Sequence, residues 1–275
     1  MEAVCPVCEN MNGIVLKDES LKMFQCPQCG HAFSLIDDDL QEEYTELYYD
    51  VTHANWFNNP NFRLFKFIYL HLIKMLKRDT FKLLDVGCGK GDFLKYIHSV
   101  NPKIRLYGVD LCGNNFTYIK FSKMDYLAEK YEEKCDAICS LAAIEHMYDI
   151  SYFVEKIKGN MCKGGFLVIT TDNVGGVFYK TAGMLKKIGI TAPFYSLYEP
   201  AHLHHFTNHS LKLLLESHGF EVKVQKNHNY PVKAVSLPKS NILTKLLYIC
   251  AVSFLFSLPE KFGILQTVIC KRKCL

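Results

Sequence analysis

The stretch "LLDVGCGKGDFL", residues 83–94, constrains this chain more than any other. A short apolar run passes through Asp85 and Val86 and turns at once into Gly87, Gly89 and Gly91, after which a helical pattern resumes. A strand that meets a glycine turn and then a helix is the opening unit of a doubly wound α/β sheet. Ligands of such sheets sit outside the carboxyl ends of the strands, where this turn falls. Gly87 and Gly89 can take backbone angles closed to other residues and let a ligand approach the main chain. A dinucleotide fold asks for G-x-G-x-x-G. Here the third glycine comes one place early, which argues against NAD or FAD.

The rest of the chain continues the alternation. Strand-like runs are "FKLLDV", "RLYGVD", "FTYIKF", "CDAICS" and "GGFLVITT", with "FEVKVQ" (220–225) and "GILQTVICK" (263–271) near the end. Helical periods fall at 62–77 and near 91–99, 151–161 and 207–218. The expectation is a mostly parallel seven-stranded sheet with helices on both faces, a Rossmann-like α/β fold. One connection is irregular: only "LCGNN" lies between the second and third strands, too little for a crossover helix.

Composition sets limits on partners and setting. A net charge of +4 without a basic cluster falls short of a nucleic-acid signature. Met1 is followed by Glu2, without the basic and apolar segments of a secretory signal. Twelve cysteines in a chain of this size, four of them in C-x-x-C pairs, fit a reducing, cytoplasmic setting. The longest apolar run, "LLYICAVSFLFSL" (246–258), is shorter than the roughly 20 residues that cross a bilayer. A helix over 242–258 is expected to pack on the core or to touch a membrane peripherally.

Two carboxylates narrow the ligand. Asp110 ends the next strand in "YGVD", where it can accept hydrogen bonds from both hydroxyls of a ribose. Asp125, in "KMDYL", follows the third strand, where a carboxylate can take an amino proton from adenine. "LLDVGCGKGDFL", "YGVD", "KMDYL", "CDAICSLAAIEHM" and "CKGGFLVITT", in that order, resemble the motifs of class I S-adenosylmethionine-dependent methyltransferases. The resemblance runs from about residue 44 to the C-terminus. It implies that Gly87, Cys88, Gly89 and Gly91 line the methionine part of S-adenosylmethionine, and that Asp85 helps fix its amino group. It further implies that Asp110 and Leu111 hold the ribose, Asp125 and Tyr126 the adenine, and that Ser140 and Leu141 flank the cofactor.

Cys5-x-x-Cys8 and Cys26-x-x-Cys29 carry the spacing of a zinc site. Four thiolates on two tight turns give Zn²⁺ a closed tetrahedral shell, so the metal is read as structural. A module this small buries little core and would draw its folding energy from the metal. His31 is a further donor nearby, but four cysteines already fill the shell. The expected organisation is a zinc-ribbon module over 1–36, a helical connector and cofactor lid over 37–80, and a methyltransferase domain over 81–275. A substrate-side insertion at 172–200 belongs to that domain. Tyr48, Tyr49 and His53 are candidates for closing the cofactor from the connector side.

For the acceptor, the protein must align a nucleophile with the methyl group and remove a proton from a hydroxyl. Glu145 and His146, after the fourth strand, are candidates. So are His202 and His204 in "EPAHLHHFTNHS", ahead of a helix that Thr207 or Asn208 caps. That segment resembles one found in small-molecule and sugar methyltransferases, with His205 where an aromatic is usual. Histidine accepts a proton near neutrality. "IEHM" also resembles the ubiquinone-type O-methyltransferases, which hold a metal with a further Glu where this chain has Ala142, so no catalytic metal is expected. The leading expectation is O-methylation of a sugar, glycan or related small hydroxylated metabolite by a histidine base. Ribosomal RNA base methylation, and a cofactor-binding subunit without turnover, are the alternatives.

Overall fold

The computed structural model describes residues 3–35, 54–113, 116–235 and 242–273. Tyr48, Tyr49, His53 and the acidic "DDDLQEE" start of the connector lie outside the described residues. The elements begin with β1 (Val15–Asp18), β2 (Met23–Gln25) and β3 (Ala32–Ser34), followed by α1 (Ala54–Asn58), α2 (Phe62–Leu76), β4 (Lys82–Val86), α3 (Asp92–Val100), β5 (Arg105–Asp110) and β6 (Ile119–Lys123). Then come β7 (Cys135–Leu141), α4 (Ile150–Asn160), β8 (Met161–Asp172), α5 (Val177–Lys187), α6 (Ala192–Leu197) and β9 (His204–His205). The chain continues with α7 (Asn208–Ser217), β10 (Phe220–His228), α8 (Ile242–Ser257) and β11 (Leu265–Arg272).

The main sheet has seven strands in the order β10-β11-β8-β7-β4-β5-β6. Pairs from β8 to β6 are parallel, whereas β11 runs antiparallel to both β8 and β10. This is the mostly parallel, Rossmann-like sheet expected from the strand and helix runs. The apolar runs of β4, β7 and β8 are buried because helices cover both faces of a parallel sheet. One core joins Leu84, Ile138 and Leu167 to Phe153 of α4 and Leu211 of α7; the other joins Leu83, Ala137 and Val168 to Ile68 of α2 and Leu94 of α3. Strand order reverses at β4, so the ligand crevice opens over its carboxyl end.

Side chains and backbone set the helix ends. Asn61 Oδ1 accepts from Leu64 N (3.2 Å) and Asp149 Oδ1 from Tyr152 N (2.8 Å), each satisfying an orphan donor of a first turn. Thr207 caps α7 in a reciprocal arrangement with Ser210. The third strand begins later than the sequence pattern implies, at Ile119 rather than Phe116. Even so, parallel β5 and β6 are joined through residues 111–118 with no helix among those described.

The N-terminal cysteines lie on the turns before β1 and between β2 and β3 of a second sheet, of order β1-β2-β3-β9. Its last strand comes from the middle of the chain: Ala32 pairs with His205 and Phe33 with His204. Cys5, Cys26, Cys29 and Phe33 also share a core with Leu211 and Phe206. The ribbon is thus knitted into the body of the protein.

Candidate active site

The glycine turn leaves β4 with Gly87 at φ +75° and Gly89 at φ +51°, both in the left-handed region. A Cβ on Gly87 would stand 2.7 Å from the Cβ of Ala143. Gly87 N and Cys88 N both donate to Val109 O (2.8 and 3.2 Å), which ties the turn to β5. Asp110, at the end of β5, accepts from Gly89 N through Oδ2 (2.7 Å) and from Cys112 N through Oδ1 (3.0 Å). Asp125 Oδ1 accepts from Leu127 N (2.8 Å) and Ala128 N (3.2 Å). Beneath the turn Asp85 is 2% exposed, and its Oδ1 has no hydrogen-bond partner. Burial, followed by the charge of Asp110, holds its carboxyl well above the usual range.

A cavity of about 940 Å³ runs from this turn across the carboxyl ends of β4, β5, β7 and β8. That is near the top of the roughly 300–1,000 Å³ range of small-molecule sites. Of the residues expected to hold a cofactor, Asp85, Gly87, Cys88, Gly89, Asp110 and Leu111 line it, as do Asp125, Tyr126 and Leu141. The Tyr126 phenol is turned to Asn160, donating to its Oδ1 at 2.9 Å. Gly91 and Ser140 stand behind the wall. Gly91, at φ +71°, is the N-cap of α3, and Ser140 is fully buried in β7.

At the other end of the cavity, the chain leaves β7 through Ala142 (φ +57°) into a 3-10 turn over Ile144–His146. Glu145 is 2% exposed and accepts from Thr171 Oγ1 through Oε2 (2.9 Å). Burial pushes its carboxyl up to about 7. His146 Nδ1 donates to Ala201 O (3.0 Å), which leaves Nε2 as the basic nitrogen of the neutral ring. The ring of His202 lies edge-on to it, with centroids 4.7 Å apart. His202 Nδ1 contacts Asp172 Oδ2 at 3.1 Å. Burial opposes a charge on His202, but the hydrogen bond to Asp172 and the nearby Glu145 and Glu199 outweigh it and raise the ring to about 9. His202 is therefore an imidazolium at neutral pH.

His204 stands elsewhere. It lies in β9, off the cavity wall, with Nδ1 3.1 Å from Nε2 of His31 and the ring also hydrogen-bonded to the backbone of Met147. Burial lowers its pKa to about 4, so it is a neutral stitch between ribbon and body. The expectation that His204 faces the acceptor is corrected by this placement. β9 begins only at His204, and its pairing with Phe33 carries the ring to His31, whereas His202 precedes the strand, so sequence proximity to His202 carried no information about the cavity.

Asp172 went unnoticed as a candidate although it brings His202 into the site. A carboxylate at the carboxyl end of a parallel strand was the available signal. Leu21, Ser34 and Leu35 of the ribbon also line the cavity. No sequence pattern announces them, because the ribbon reaches the site through long-range contacts such as the β3–β9 pairing.

The sulfurs of Cys5, Cys8, Cys26 and Cys29 lie within 4.8 Å of one another. The Cys5–Cys29 and Cys8–Cys26 separations are both 3.6 Å. Backbone bonds Glu9 N to Cys5 O (2.9 Å) and Gly30 N to Cys26 O (3.0 Å) close a turn around each pair.

A family model described as Methyltransferase domain matches residues 38–225, well over half of the chain. The chain belongs to the methyltransferase domain family. Among curated proteins, this methyltransferase is 29% identical over 103 residues to the ubiquinone biosynthesis O-methyltransferase of Pelagibacter ubique (strain HTCC1062). That match covers 34% of this chain and 42% of the relative, so the chain spans less than half of that protein. Among solved structures, the plantazolicin methyltransferase BpumL in complex with a monoazolic desmethylPZN analog and SAH superimposes with a TM-score of 0.53 at 17% identity, covering 82% of this chain and 88% of that one. The 1,6-didemethyltoxoflavin-N1-methyltransferase of Burkholderia thailandensis gives a TM-score of 0.54 at 13% identity, covering 91% and 99%. At these identities the likeness to solved structures is one of fold. The methyltransferase shares with them the sheet whose glycine turn and strand-end carboxylates frame the cavity.

Proposed function

We propose that this methyltransferase moves the methyl group of S-adenosylmethionine to a hydroxyl of a small metabolite, a sugar or glycan among the candidates. The observation that carries the reading is the two-ended cavity, with a glycine turn and orphan carboxyl at one end and a histidine–carboxylate cluster at the other. Oδ1 of the buried Asp85 lacks a partner, and the positively charged amino group of the cofactor's methionine part is the group that would satisfy it. Gly87 and Gly89 leave room for that part against the main chain, with Cys88 beside them. Asp110 with Leu111 would take the ribose, Asp125 the adenine amine, and Leu141 would flank the sulfur. When bound, the cofactor supplies an electrophilic methyl on a sulfonium.

The acceptor end then has two tasks. His146, with its Nδ1 proton committed to Ala201 O, offers Nε2 to take the hydroxyl proton. His202, kept protonated by Asp172, offers positive charge to the oxygen as negative charge develops there. Glu145 sets the field around both rings. In this division of labour His146 is the base and His202 the electrostatic partner.

The cysteine cluster is read as a structural Zn²⁺ site. Zinc–sulfur bonds of about 2.3 Å in a tetrahedron put sulfurs roughly 3.8 Å apart, which the 3.6 Å contacts approach. Four thiolates leave no open position, so this metal would take no part in the transfer. On α8 the exposed Ile242, Leu246 and Phe254 favour a peripheral lipid contact near a membrane-linked acceptor. No helix among the described residues is long and apolar enough to cross a membrane. Sedimentation with anionic vesicles, and its loss in Phe254→Asp, checks the lipid contact.

The deciding experiment is a transfer screen with methyl-labelled cofactor against hydroxylated metabolites, nucleotide sugars, glycans and ribosomal RNA. Label on a hydroxyl that disappears with His146→Ala supports the reading. Label confined to RNA bases supports the RNA alternative. Tight SAH binding with no label on any acceptor supports a non-catalytic subunit.

A further inference from the structure

The first three strands do more than hold cysteines. Leu21, between β1 and β2, and Ser34 and Leu35, at the end of β3, line the same cavity as Ser196, Leu197 and His202. The acceptor half is thus walled on one side by the ribbon and on another by the α5–α6 insertion. Those two walls are bolted together. Asp18, buried at the end of β1, is bonded through Oδ2 to Lys186 Nζ of α5 and accepts from the Tyr195 hydroxyl of α6 at 3.2 Å. Its other oxygen accepts from Ser20 Oγ (2.6 Å) and Leu21 N (2.8 Å), so the same carboxylate fixes the loop that presents Leu21 to the cavity. Next to it, Lys17 Nζ donates to the Tyr198 hydroxyl, directly after α6. The Tyr198 ring then meets His205 of β9 edge-on, with centroids 4.8 Å apart.

We propose that the ribbon is the acceptor-side jaw of the enzyme, with Asp18 as the positioning residue that holds the α5–α6 wall at a set distance and Leu21 and Leu35 as specificity-determining contacts. The proposal rests on the methyl-transfer reading for the meaning of the cavity, and on the Asp18 contacts alone for the clamp. Several observations make the clamp more than surface decoration. Asp18 is 5% exposed, with partners from the ribbon loop and from both helices of the insertion. Losing the Lys186 charge leaves the buried Asp18 carboxylate without its cation, so the arrangement with the two walls together is favoured. By contrast, Met184 and Ile188, at the far end of α5, are largely exposed. Tyr179, Ala182, Phe194 and Tyr198 of the insertion pack with Met23 and Ala32 of the ribbon, so the ion pair adds a fixed polar contact to an apolar seam between the two walls. Leu21 and Leu35 present apolar surface, so the favoured acceptor carries an apolar portion beside its hydroxyl.

Hydrogen exchange read by mass spectrometry on the full, zinc-loaded chain with SAH tests this. In Asp18→Asn, peptides from 177–198 should exchange at least tenfold faster, while those from 83–94 and 105–110 and the affinity for SAH stay within twofold of wild type. Tyr195→Phe, which removes one hydroxyl and spares the fold, should move the same peptides by a smaller factor. A uniform rise across the chain, or no change over 177–198, overturns the clamp. With an acceptor returned by the labelled-cofactor screen, Leu21→Trp and Leu35→Trp should raise acceptor KM at least fivefold, with kcat changing less. Unchanged KM in both overturns the specificity role. Failure of wild type to bind SAH would instead strike the methyl-transfer reading, and leaves the exchange result to decide the clamp.

Discussion

His202 Nδ1 stands 3.1 Å from Asp172 Oδ2, and this contact closes the base of the α5–α6 insertion, because Asp172 ends β8 and His202 follows the insertion. The pair at the end of the cavity opposite the glycine turn also anchors the loop that walls it. Binding chemistry and local stability are therefore linked through one ion pair.

That link has a pH signature. The folded pKa of His202, about 9, lies above its ordinary 6.5, so its contribution to stability is fully present below pH 6.5 and fades as pH rises through about 9. Glu145 is raised from 4.5 to about 7 by burial, so the folded state also loses stability as pH rises through that window. Each contribution is on the order of 3 kcal/mol at most. Urea denaturation from pH 5 to 10 should show stability falling with pH. In His202→Gln the fall between 6.5 and 9 should flatten, and an unchanged slope would contradict the ion pair.

Gly87→Ala should abolish SAH binding. Its φ of +75° strains any side chain, and the new Cβ would meet Ala143 at 2.7 Å. Asp110→Asn keeps the shape of the strand end but removes the charge, and charge-assisted bonds are each worth about 1.5–3 kcal/mol. SAH affinity should fall on the order of 10- to 100-fold by isothermal titration calorimetry. Binding at wild-type strength would contradict the ribose role.

Metal analysis should return about one zinc per chain, as a closed four-thiolate site requires. Because β3 pairs with β9 and the cysteines share a core with α7, chelation should lower the melting temperature of the whole protein in a single transition. A separate early ribbon transition, with the main one unmoved, would show that the two units melt independently.

The histidines should separate by role. His146→Ala should reduce turnover by roughly 10²- to 10⁴-fold, the usual worth of a general base, with SAH affinity retained. His204→Phe should leave turnover nearly unchanged yet destabilise the fold by about 1–3 kcal/mol, since it strands His31 without its partner. The reverse pattern would return the base to His204.

The sequence by itself determined the sheet, the glycine turn and the cysteine pairs. These are local: β5 falls on "RLYGVD" residue for residue, and helix periods mark α2, α3, α4 and α7 within a residue or two. A strand must be apolar on both faces to lie inside a parallel sheet, and turn positions in the left-handed region, such as Gly87, favour glycine. Most of the expected cofactor-side residues line the cavity because each sits at a strand end, where the topology alone sets its place. The histidine–carboxylate end of the cavity was decided only by the tertiary structure. Asp172 meets His202, Asp18 meets Lys186, and His204 turns to His31, all across distances in the chain that no period or spacing encodes. Their roles follow from burial, which raises or lowers a proton affinity according to which charges are enclosed with it. His202 and His204 stand two residues apart in the sequence, yet carboxylates keep one ring charged and burial keeps the other neutral.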